Sequence, residues 1–221
     1  MNHKWDFASV WANWPLLLQG LAGTFELAVA SIVAGTVIGL LVGPARHSRR
    51  RLLNWPATAY VEFFRNTPVL VQILWFFFAF PILVDVELNP FMAATLALSL
   101  NTGAFMAEIF RGGIKSIDRG QWESARAVGM TYSQCMRRVI LPQAVKRMLP
   151  AFTNRGIELF KMTTLASAIA FHEILYSAKS IAGTYFNAIE AYTTVALIFF
   201  GLVYPMVQGL HAIERTLKRG E

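Results

Sequence analysis

The sequence contains one cysteine, few charged residues and no recognisable nucleotide-binding loop. Charged residues make up 15% of the 221 residues, against about a quarter in an ordinary soluble protein. The lone Cys135 excludes an internal disulfide and leaves the redox compartment open. The segment GGIKS at 112–116 lacks the Gly-Lys-Ser/Thr junction that cradles phosphate, so the chain has no Walker A loop with which to hydrolyse ATP.

The sequence also lacks the residue patterns of common active sites. His172 and Glu173 begin like a zinc-protease motif, but Tyr176 stands where the second histidine is required. The four histidines are scattered over different segments, at positions 3, 47, 172 and 211. There is no G-x-S-x-G nucleophile elbow. We therefore expect neither a bound metal nor a catalytic function.

Long uncharged runs are the dominant positive feature. A bilayer span needs about 20 apolar residues, with a range of roughly 17 to 25. Four uncharged runs reach or approach that length, at 27–43, 66–84, 88–107 and 191–210. The sequence therefore predicts an all-α integral membrane protein with one domain over 1–221.

The N-terminal stretch 1–15 is rich in aromatic residues. It lacks the apolar core and small-residue cleavage site of a signal peptide. Trp5, Phe7, Trp11 and Trp14 instead have the composition of a segment lying at the membrane surface.

The distribution of basic residues indicates the topology. A fifth, weaker candidate span follows residue 152, and its longest uncharged run is only 162–171. With five spans and the N-terminus outside, 16 of the 20 basic residues fall in the cytoplasmic segments 44–54, 111–155 and 211–221. Four spans would put the basic C-terminal tail and the basic central loop on opposite sides of the membrane, which does not fit the preference of Lys and Arg for the cytoplasmic side. We therefore predict spans at about 18–43, 55–81, 89–111, 153–176 and 190–211, and a cytoplasmic loop at 112–152. The net charge of +7 is then a topology signal, and nucleic-acid binding is not required to explain it.

Three glycines in the first span, Gly35, Gly39 and Gly43, recur every four residues. Such spacing lets a neighbouring helix backbone approach closely. The alternative is that glycine is simply common in membrane helices.

The cytoplasmic loop reads as two short helices. Asp118 with Gln121 favours a helix start, and Gly129 favours a stop at positive φ. Thr131 and Gln134 have the spacing of a capping box, and Pro142 is expected to bend or end the second helix. Because a helix of about 15 Å is marginal alone, we expect the first one to dock on another surface.

The same loop resembles the EAA loop of ABC-importer membrane subunits, which reads Glu-Ala-Ala, three residues, Gly, nine residues and Ile-x-Leu-Pro. Two positions depart mildly, with Ser124 for Ala and Val139 for Ile. The matching residues that the resemblance assigns to ATPase coupling are Glu123, Ser124, Ala125, Gly129, Leu141 and Pro142. In that family the loop sits in a groove on a separate ATPase. An amphipathic hairpin lying on anionic lipid is the alternative for this loop.

The resemblance extends over most of the chain. YVEFFRNTPVLVQI at 60–73, LNTGAFMAEIFRGGI at 100–114, GQWESARAVGMT at 120–131 and KMTTLASAIAF at 161–171 are similar to the polar-amino-acid permease branch of these importers. The resemblance implies a five-span core and pairing with a second permease subunit, either a copy or a relative. It also implies two ATPase domains that hold ATP and Mg, and an extracytoplasmic binding protein that delivers the amino acid.

A substrate pathway is predicted near the middle of the bilayer. Asn101 and Lys161 lie about 16 and 13 Å from opposite membrane surfaces, and polar groups at that depth usually face a cavity or a partner. The predicted pathway residues are Asn101, Thr102, Lys161, Met162, Thr163 and Thr164. Alternatively, the threonine hydroxyls bond back to their own helix and Lys161 extends to the interface.

Two further details bear on this pathway. Many relatives carry Asp after the lysine, whereas this chain has Met162. Without that carboxylate, acidic or neutral amino acids are favoured over arginine and lysine. Glu62, Arg65 and Glu108 are expected to form a gate or a structural ion pair beside a kinking Pro68.

Two other functions remain open at this point. An ion-driven secondary transporter would explain the spans but not a docking loop, and no inverted repeat is visible. A membrane-embedded enzyme would need a convergent set of catalytic groups, which the sequence does not offer.

Overall fold

The computed structural model describes residues 5–48 and 50–218 and is built of helices. The eleven α-helices of these residues are α1 (Ala8–Ala12), α2 (Trp14–His47), α3 (Arg51–Asn66), α4 (Val69–Leu74), α5 (Phe80–Val84), α6 (Pro90–Lys115), α7 (Arg119–Ala127), α8 (Tyr132–Cys135), α9 (Leu141–Met162), α10 (Ile174–Tyr185) and α11 (Ala188–Lys218). Single π turns at Trp75–Ala79 and Met136–Ile140 join α4 to α5 and α8 to α9, and a 3₁₀ segment, Thr163–Ile169, follows α9.

Some predicted features fall on residues outside the described ranges. These are the first four residues of the N-terminal aromatic segment with His3, and the basic residues Arg49 and Arg219.

Within residues 5–48 and 50–218, three helices are long and apolar enough to cross a membrane: α2, α6 and the part of α11 at Ala188–Thr216. A fourth span results if α3 and the helical run Val69–Val84 are taken together, although they meet at an angle of 105°. The predicted fifth span, 153–176, consists of the end of α9, the 3₁₀ segment and the start of α10. No single helix covers it, and the count of five spans stays a prediction.

The break between α3 and α4 confirms the predicted kink at Pro68. Thr67 is extended, with ψ of 139°, and Pro68 follows with ψ of 133° before the next helix starts. A residue before proline is disfavoured in the α region, and proline has no N–H to continue the ladder. The chain therefore turns sharply inside the predicted second span.

The glycines of α2 are at the contact with α6, as predicted. A Cβ on Gly35 would lie 2.8 Å from Thr102 Cβ, which is a steric clash. A Cβ on Gly39 would likewise overlap the Met106 side chain. Neither contact can be made by a larger residue without separating the two helices. Small residues at four-residue spacing therefore allow α2 and α6 to pack closely.

The loop between α6 and α9 follows the prediction at its turn. Gly129 has φ of +79°, and it separates α7 from α8. Thr131 and Gln134 form a complete capping box at the start of α8. Both features depend on local chemistry alone, which is why the sequence reveals them.

Two other loop predictions are met in part. α7 begins directly after Asp118, as predicted, but the Asp118 side chain makes no capping hydrogen bond. Pro142 was expected to bend or end the second helix, and the helical run does not end there, because the π turn Met136–Ile140 lies directly before it. A π turn shifts the hydrogen-bond pattern from i+4 to i+5, so the proline is accommodated and the helical run continues to Met162.

The short helix α7 docks on its own chain. Ala125 is buried in an apolar cluster that also contains Ile114, Cys135, Ile140 and Met148. This cluster fixes the loop against the C-terminal end of α6 and the N-terminal half of α9. The hairpin is thus a preformed surface and not a flexible linker.

Candidate functional site

An ion cluster joins α2, α3 and α6 around Glu108. The Glu108 carboxylate lies 2.7 Å from Arg46, 2.6 Å from Arg111 and 4.0 Å from Arg65. Arg46 also contacts Glu62 at 2.6 Å. The predicted trio Glu62, Arg65 and Glu108 is therefore gathered in one place. Arg46 and Arg111 belong to the same cluster, and the sequence analysis missed both because the charge pattern assigned them to topology.

A second polar junction forms where α3 ends. Pro68 cannot donate to the carbonyl oxygen of Phe64, four residues earlier in the chain. Asn101 Nδ2 donates to that oxygen at 2.7 Å, and Gln72 Nε2 donates to it at 3.0 Å. The carbonyl group freed by the bend is thus satisfied from α6 and α4.

Arg155 completes this junction from α9. Its Nη2 donates to Asn101 Oδ1 at 2.6 Å and to Thr102 Oγ1 at 3.4 Å. The residue is 3% exposed, and its guanidinium group lies 4.1 Å from the centroid of the Phe105 ring. The charge pattern placed Arg155 in the basic segment 111–155 without assigning it a contact, and in the structure its side chain is buried against α6. The helical spacing of buried Met148, Arg155 and Leu159 was the signal available to find it.

The predicted pathway residues fall into separate environments. Asn101 and Thr102 are buried at the Arg155 junction. Lys161 and Thr164 line an open groove of about 460 Å³ against aromatic residues of α11, including Phe199 and Tyr204. Met162 packs at the edge of the main apolar core. The six residues therefore do not share a single continuous cavity in this conformation.

Two of the three threonines of the predicted pathway donate hydrogen bonds to carbonyl groups of the preceding turn. Thr163 donates to the Phe160 carbonyl oxygen and Thr164 to that of Lys161, both at 2.8 Å. This is the local pairing that the sequence left open as an alternative.

Some of the predicted coupling residues are buried in the protein and others are exposed on its surface. Ala125 is buried and Leu141 is half-buried, whereas Glu123, Ser124, Gly129 and Pro142 are exposed. Two apolar residues that the sequence analysis did not single out are also exposed at the tip, namely Val128 (73%) and Tyr132 (65%). Trp122 stacks on Tyr132 with ring centroids 6.0 Å apart, so the exposed tip has a defined shape.

None of these sites resembles a metal centre. Among residues 5–48 and 50–218, no group of three or more His, Cys, Asp or Glu side chains is placed to hold an ion. The chemistry that this arrangement offers is charge pairing and hydrogen bonding across helix contacts.

Comparison with known proteins gives a consistent result. Residues 14–218 match the family described as "Binding-protein-dependent transport system inner membrane component". The L-cystine transport system permease protein TcyB of Bacillus subtilis (strain 168) is 38% identical over 97% of this chain and 92% of its own length. The arginine transport system permease protein ArtQ of the same organism is 34% identical over 98% and 99% respectively.

A solved structure shares the fold. The structure titled "Crystal structure of an amino acid ABC transporter with histidines" superposes with a TM-score of 0.92 at 33% identity, covering 97% of this chain and 100% of that one. The helical arrangement described above, including the broken span and the exposed hairpin, is therefore that of an importer permease of this type.

Proposed function

Because this chain belongs to the family of binding-protein-dependent transport system inner membrane components, we propose that it forms the translocation pathway of an amino-acid importer and takes its energy from an ATPase docked on the 118–142 loop. Family members are non-catalytic permease subunits of ABC transporters, and ATP is hydrolysed by a partner. The protein is embedded in a membrane. A binding protein and an ATPase are its expected partners.

The shape of the hairpin is the single observation that carries the coupling proposal. Ala125 anchors α7 in an apolar cluster, whereas Val128 and Tyr132, on the turn and the helix start that follow α7, are exposed. Apolar residues on an exposed tip, surrounded by polar ones, are typical of a surface that binds another protein. From the same tip a continuous helical run leads from Tyr132 to Met162, next to Lys161 of the groove.

The topology within the complex is part of the proposal. We assign the N-terminus to the outside and the C-terminus to the cytoplasm, with five spans. Two permease subunits, identical or homologous, would pair above an ATPase dimer that carries ATP and Mg. The binding protein would then deliver its amino acid to the outer face.

The groove beside Lys161 supports the preference for acidic or neutral amino acids. Its lining contains Lys161 and Thr164 but no carboxylate, and Met162 does not supply one. A cationic side chain would enter a site with one fixed positive charge and no fixed negative charge, which is unfavourable in a membrane. Asn101, Thr102 and Thr163 are proposed as the buried wall of the same pathway.

The test of coupling is purification of the tagged chain in mild detergent, followed by mass spectrometry of the proteins that accompany it. We expect the wild type to retain a cytoplasmic ATPase and Gly129→Pro to lose it, because proline cannot adopt φ of +79°. Gly120→Ala is the matched control in the same loop, since an added Cβ there meets nothing within 4 Å. Absence of any ATPase from the wild type would contradict the proposal and favour an ion-driven carrier.

The test of substrate class is competition for uptake into vesicles that contain the complete transporter. We expect glutamate or glutamine to inhibit uptake more strongly than arginine. Met162→Asp should raise the inhibition by arginine, and Met162→Leu should not. Stronger inhibition by arginine in the wild type would overturn the preference, while leaving the assignment as an importer intact.

A further inference from the structure

The turn between α2 and α3 carries an unbalanced positive charge. Residues 27–61 contain four arginines, at positions 46 and 49–51, and no Asp or Glu. The first of these arginines is engaged by the two carboxylates of the ion cluster described above. Arg50 and Arg51 are exposed, and neither side chain has an acidic partner within residues 5–48 and 50–218. Two cations are therefore available to a ligand from outside the chain.

Large apolar side chains stand directly beside these cations. Leu52 is 92% exposed and Trp55 is 77% exposed. Arg51 and Trp55 are four residues apart in α3, so they are neighbours on the helix surface. Tryptophan beside basic residues is typical of the level at which lipid headgroups meet hydrocarbon. The start of α3 thus has the composition of a surface in contact with a membrane interface.

The apolar surface continues along α3 as a stripe. Leu52, Trp55, Ala59 and Phe63 are all exposed and recur at spacings of three and four residues, which places them on one side of the helix. From Leu52 to Phe63 the helix rises about 16 Å. This is about half the thickness of the hydrocarbon core, which is about 30 Å. The stripe therefore has the length of an acyl chain within one leaflet.

A lipid fits this surface better than a protein does. A soluble protein could reach the arginines, but not an apolar stripe that continues along a membrane helix. A second copy of the chain is disfavoured, because symmetric pairing brings equivalent patches together and the unbalanced arginines of the two copies would repel each other. An anionic phospholipid offers a negative headgroup to the cations and a chain that covers the apolar side chains.

We propose that the start of α3 is a binding site for an anionic phospholipid. The phosphate group accepts hydrogen bonds from the guanidinium groups of Arg50 and Arg51, and one acyl chain lies along the stripe from Leu52 to Phe63. The placement of this lipid in the cytoplasmic leaflet rests on the topology of the proposed function, whereas the charge and length of the site do not. The site is separate from the Lys161 groove.

The experiment measures lipid affinity on the intact complex. The permease–ATPase complex is purified in detergent and titrated separately with phosphatidylglycerol and phosphatidylcholine, and native mass spectrometry counts the lipids that each complex retains. We expect phosphatidylglycerol to bind more tightly. In Arg50→Gln/Arg51→Gln its dissociation constant should rise about tenfold to a hundredfold, since charge-assisted hydrogen bonds are lost. The constant for phosphatidylcholine should change less, because its choline group already offsets the phosphate charge.

Two further variants separate the headgroup from the chain and the site from the net charge. Trp55→Ala should weaken both lipids to a similar degree, because the chain contact is common to them. Arg137→Gln/Arg138→Gln removes the same charge from another exposed pair of arginines, in the π turn before α9, and should leave both affinities unchanged. Since all the substituted side chains are exposed, we expect the variants to fold, and thermal unfolding checks this.

Four outcomes would overturn the proposal. The first is equal affinity of the wild type for the two lipids. The second is wild-type affinity for phosphatidylglycerol in Arg50→Gln/Arg51→Gln, or an equal loss in Arg137→Gln/Arg138→Gln, which would show that net charge governs binding. The third is displacement of the lipid by glycerol 3-phosphate, which would indicate a site for free phosphate esters. The fourth is loss of the second permease subunit in Trp55→Ala with lipid affinity unchanged, which would assign the stripe to a subunit contact.

The lipid measurement and the importer assignment can fail independently. Lipid retention is recorded without binding protein, amino acid or ATP, so it does not depend on transport. Uptake by the wild type tests the importer assignment separately.

Discussion

Asn101 on α6 donates a hydrogen bond of 2.7 Å to the carbonyl oxygen of Phe64, in the last turn of α3. The two residues are 37 positions apart in the sequence. The acceptor is the carbonyl group that has no backbone donor in its own helix, because Pro68 lacks an N–H. A buried asparagine in a membrane helix is costly by itself. Here its cost is offset, because both ends of its amide are paired.

The first prediction concerns this bridge. Asn101→Leu should lower the stability of the protein by about 1–3 kcal/mol, because it leaves the Phe64 carbonyl group with one donor fewer and removes the acceptor of Arg155. The measurement is thermal unfolding of the purified protein in detergent. Asn154→Leu is the control, since Asn154 is exposed and bonds only to Glu158 on its own helix. Equal melting temperatures for the two variants would contradict a structural role for Asn101.

The second prediction concerns the contact between α2 and α6. A Cβ on Gly39 would run into Met106 and approach the backbone of Gly103 and Ala107 at 3.2 Å. Gly39→Ala should therefore destabilise the protein by about 1–3 kcal/mol, the usual cost of overpacking. Gly201→Ala, in α11, has nothing within 4 Å of the new atom and should be neutral or slightly stabilising. The same unfolding assay ranks the two, and a Gly39→Ala protein as stable as the wild type would show that the helices can separate freely.

The third prediction concerns the turn of the hairpin. Gly129→Ala places a Cβ at φ of +79°, at a cost of about 1–2 kcal/mol for an L-residue. Gly120→Ala in the same loop adds the same atom without that backbone strain. We expect Gly129→Ala to reduce the ATPase activity that is stimulated by loaded binding protein, relative to Gly120→Ala. Identical stimulation in the two variants would mean that the geometry of this turn does not matter for coupling.

The fourth prediction separates the two carboxylates of the ion cluster. Glu108 contacts three arginines and is 24% exposed, whereas Glu62 is 50% exposed. Glu108→Gln should cost about 1–3 kcal/mol, because charge-assisted hydrogen bonds to Arg46 and Arg111 are lost in a partly buried setting. Glu62→Gln should cost about 0–1 kcal/mol, as for a surface pair. Thermal unfolding again provides the measurement.

A double variant tests the cause of that difference. Removing one cation as well, in Arg65→Gln/Glu108→Gln, should recover part of the stability lost in Glu108→Gln. No recovery would assign the loss to hydrogen-bond geometry at Arg46 and Arg111, and not to unbalanced charge.

The sequence predicted what local chemistry determines. The Gly129 turn, the Thr131–Gln134 capping box, the break at Pro68 and the glycine contacts of α2 are all present. Each depends on a residue type whose backbone preference or size acts within one turn or one helix contact. The family match and the membrane-embedded fold were likewise predictable from motifs and hydropathy.

What the sequence did not predict depends on contacts between distant segments. Arg155 looks like any basic loop residue until α6 brings Asn101 and Phe105 beside it. Arg46 fits the charge rule for topology equally well, and its pairing with Glu62 and Glu108 needs three helices to converge. Arg111 is different, because it pairs with Glu108 three residues earlier on the same helix, a spacing that is visible in the sequence. Pro142 was expected to bend or end a helix, and the helical run continues past it because the π turn before it shifts the hydrogen-bond register.

The helical run from Tyr132 to Met162 has a mechanical consequence. At 1.5 Å per residue it extends about 46 Å, comparable to the full thickness of a bilayer with its headgroups. A hydrogen-bonded helix is stiff along its axis, so its compliance is concentrated where bonds are missing or shifted, at Pro142 with the π turn and at Pro150. Both points lie between the hairpin and Arg155. Bending at these points would absorb part of any displacement of the hairpin, so the stiffness of the two proline turns would determine how much of that displacement reaches Arg155.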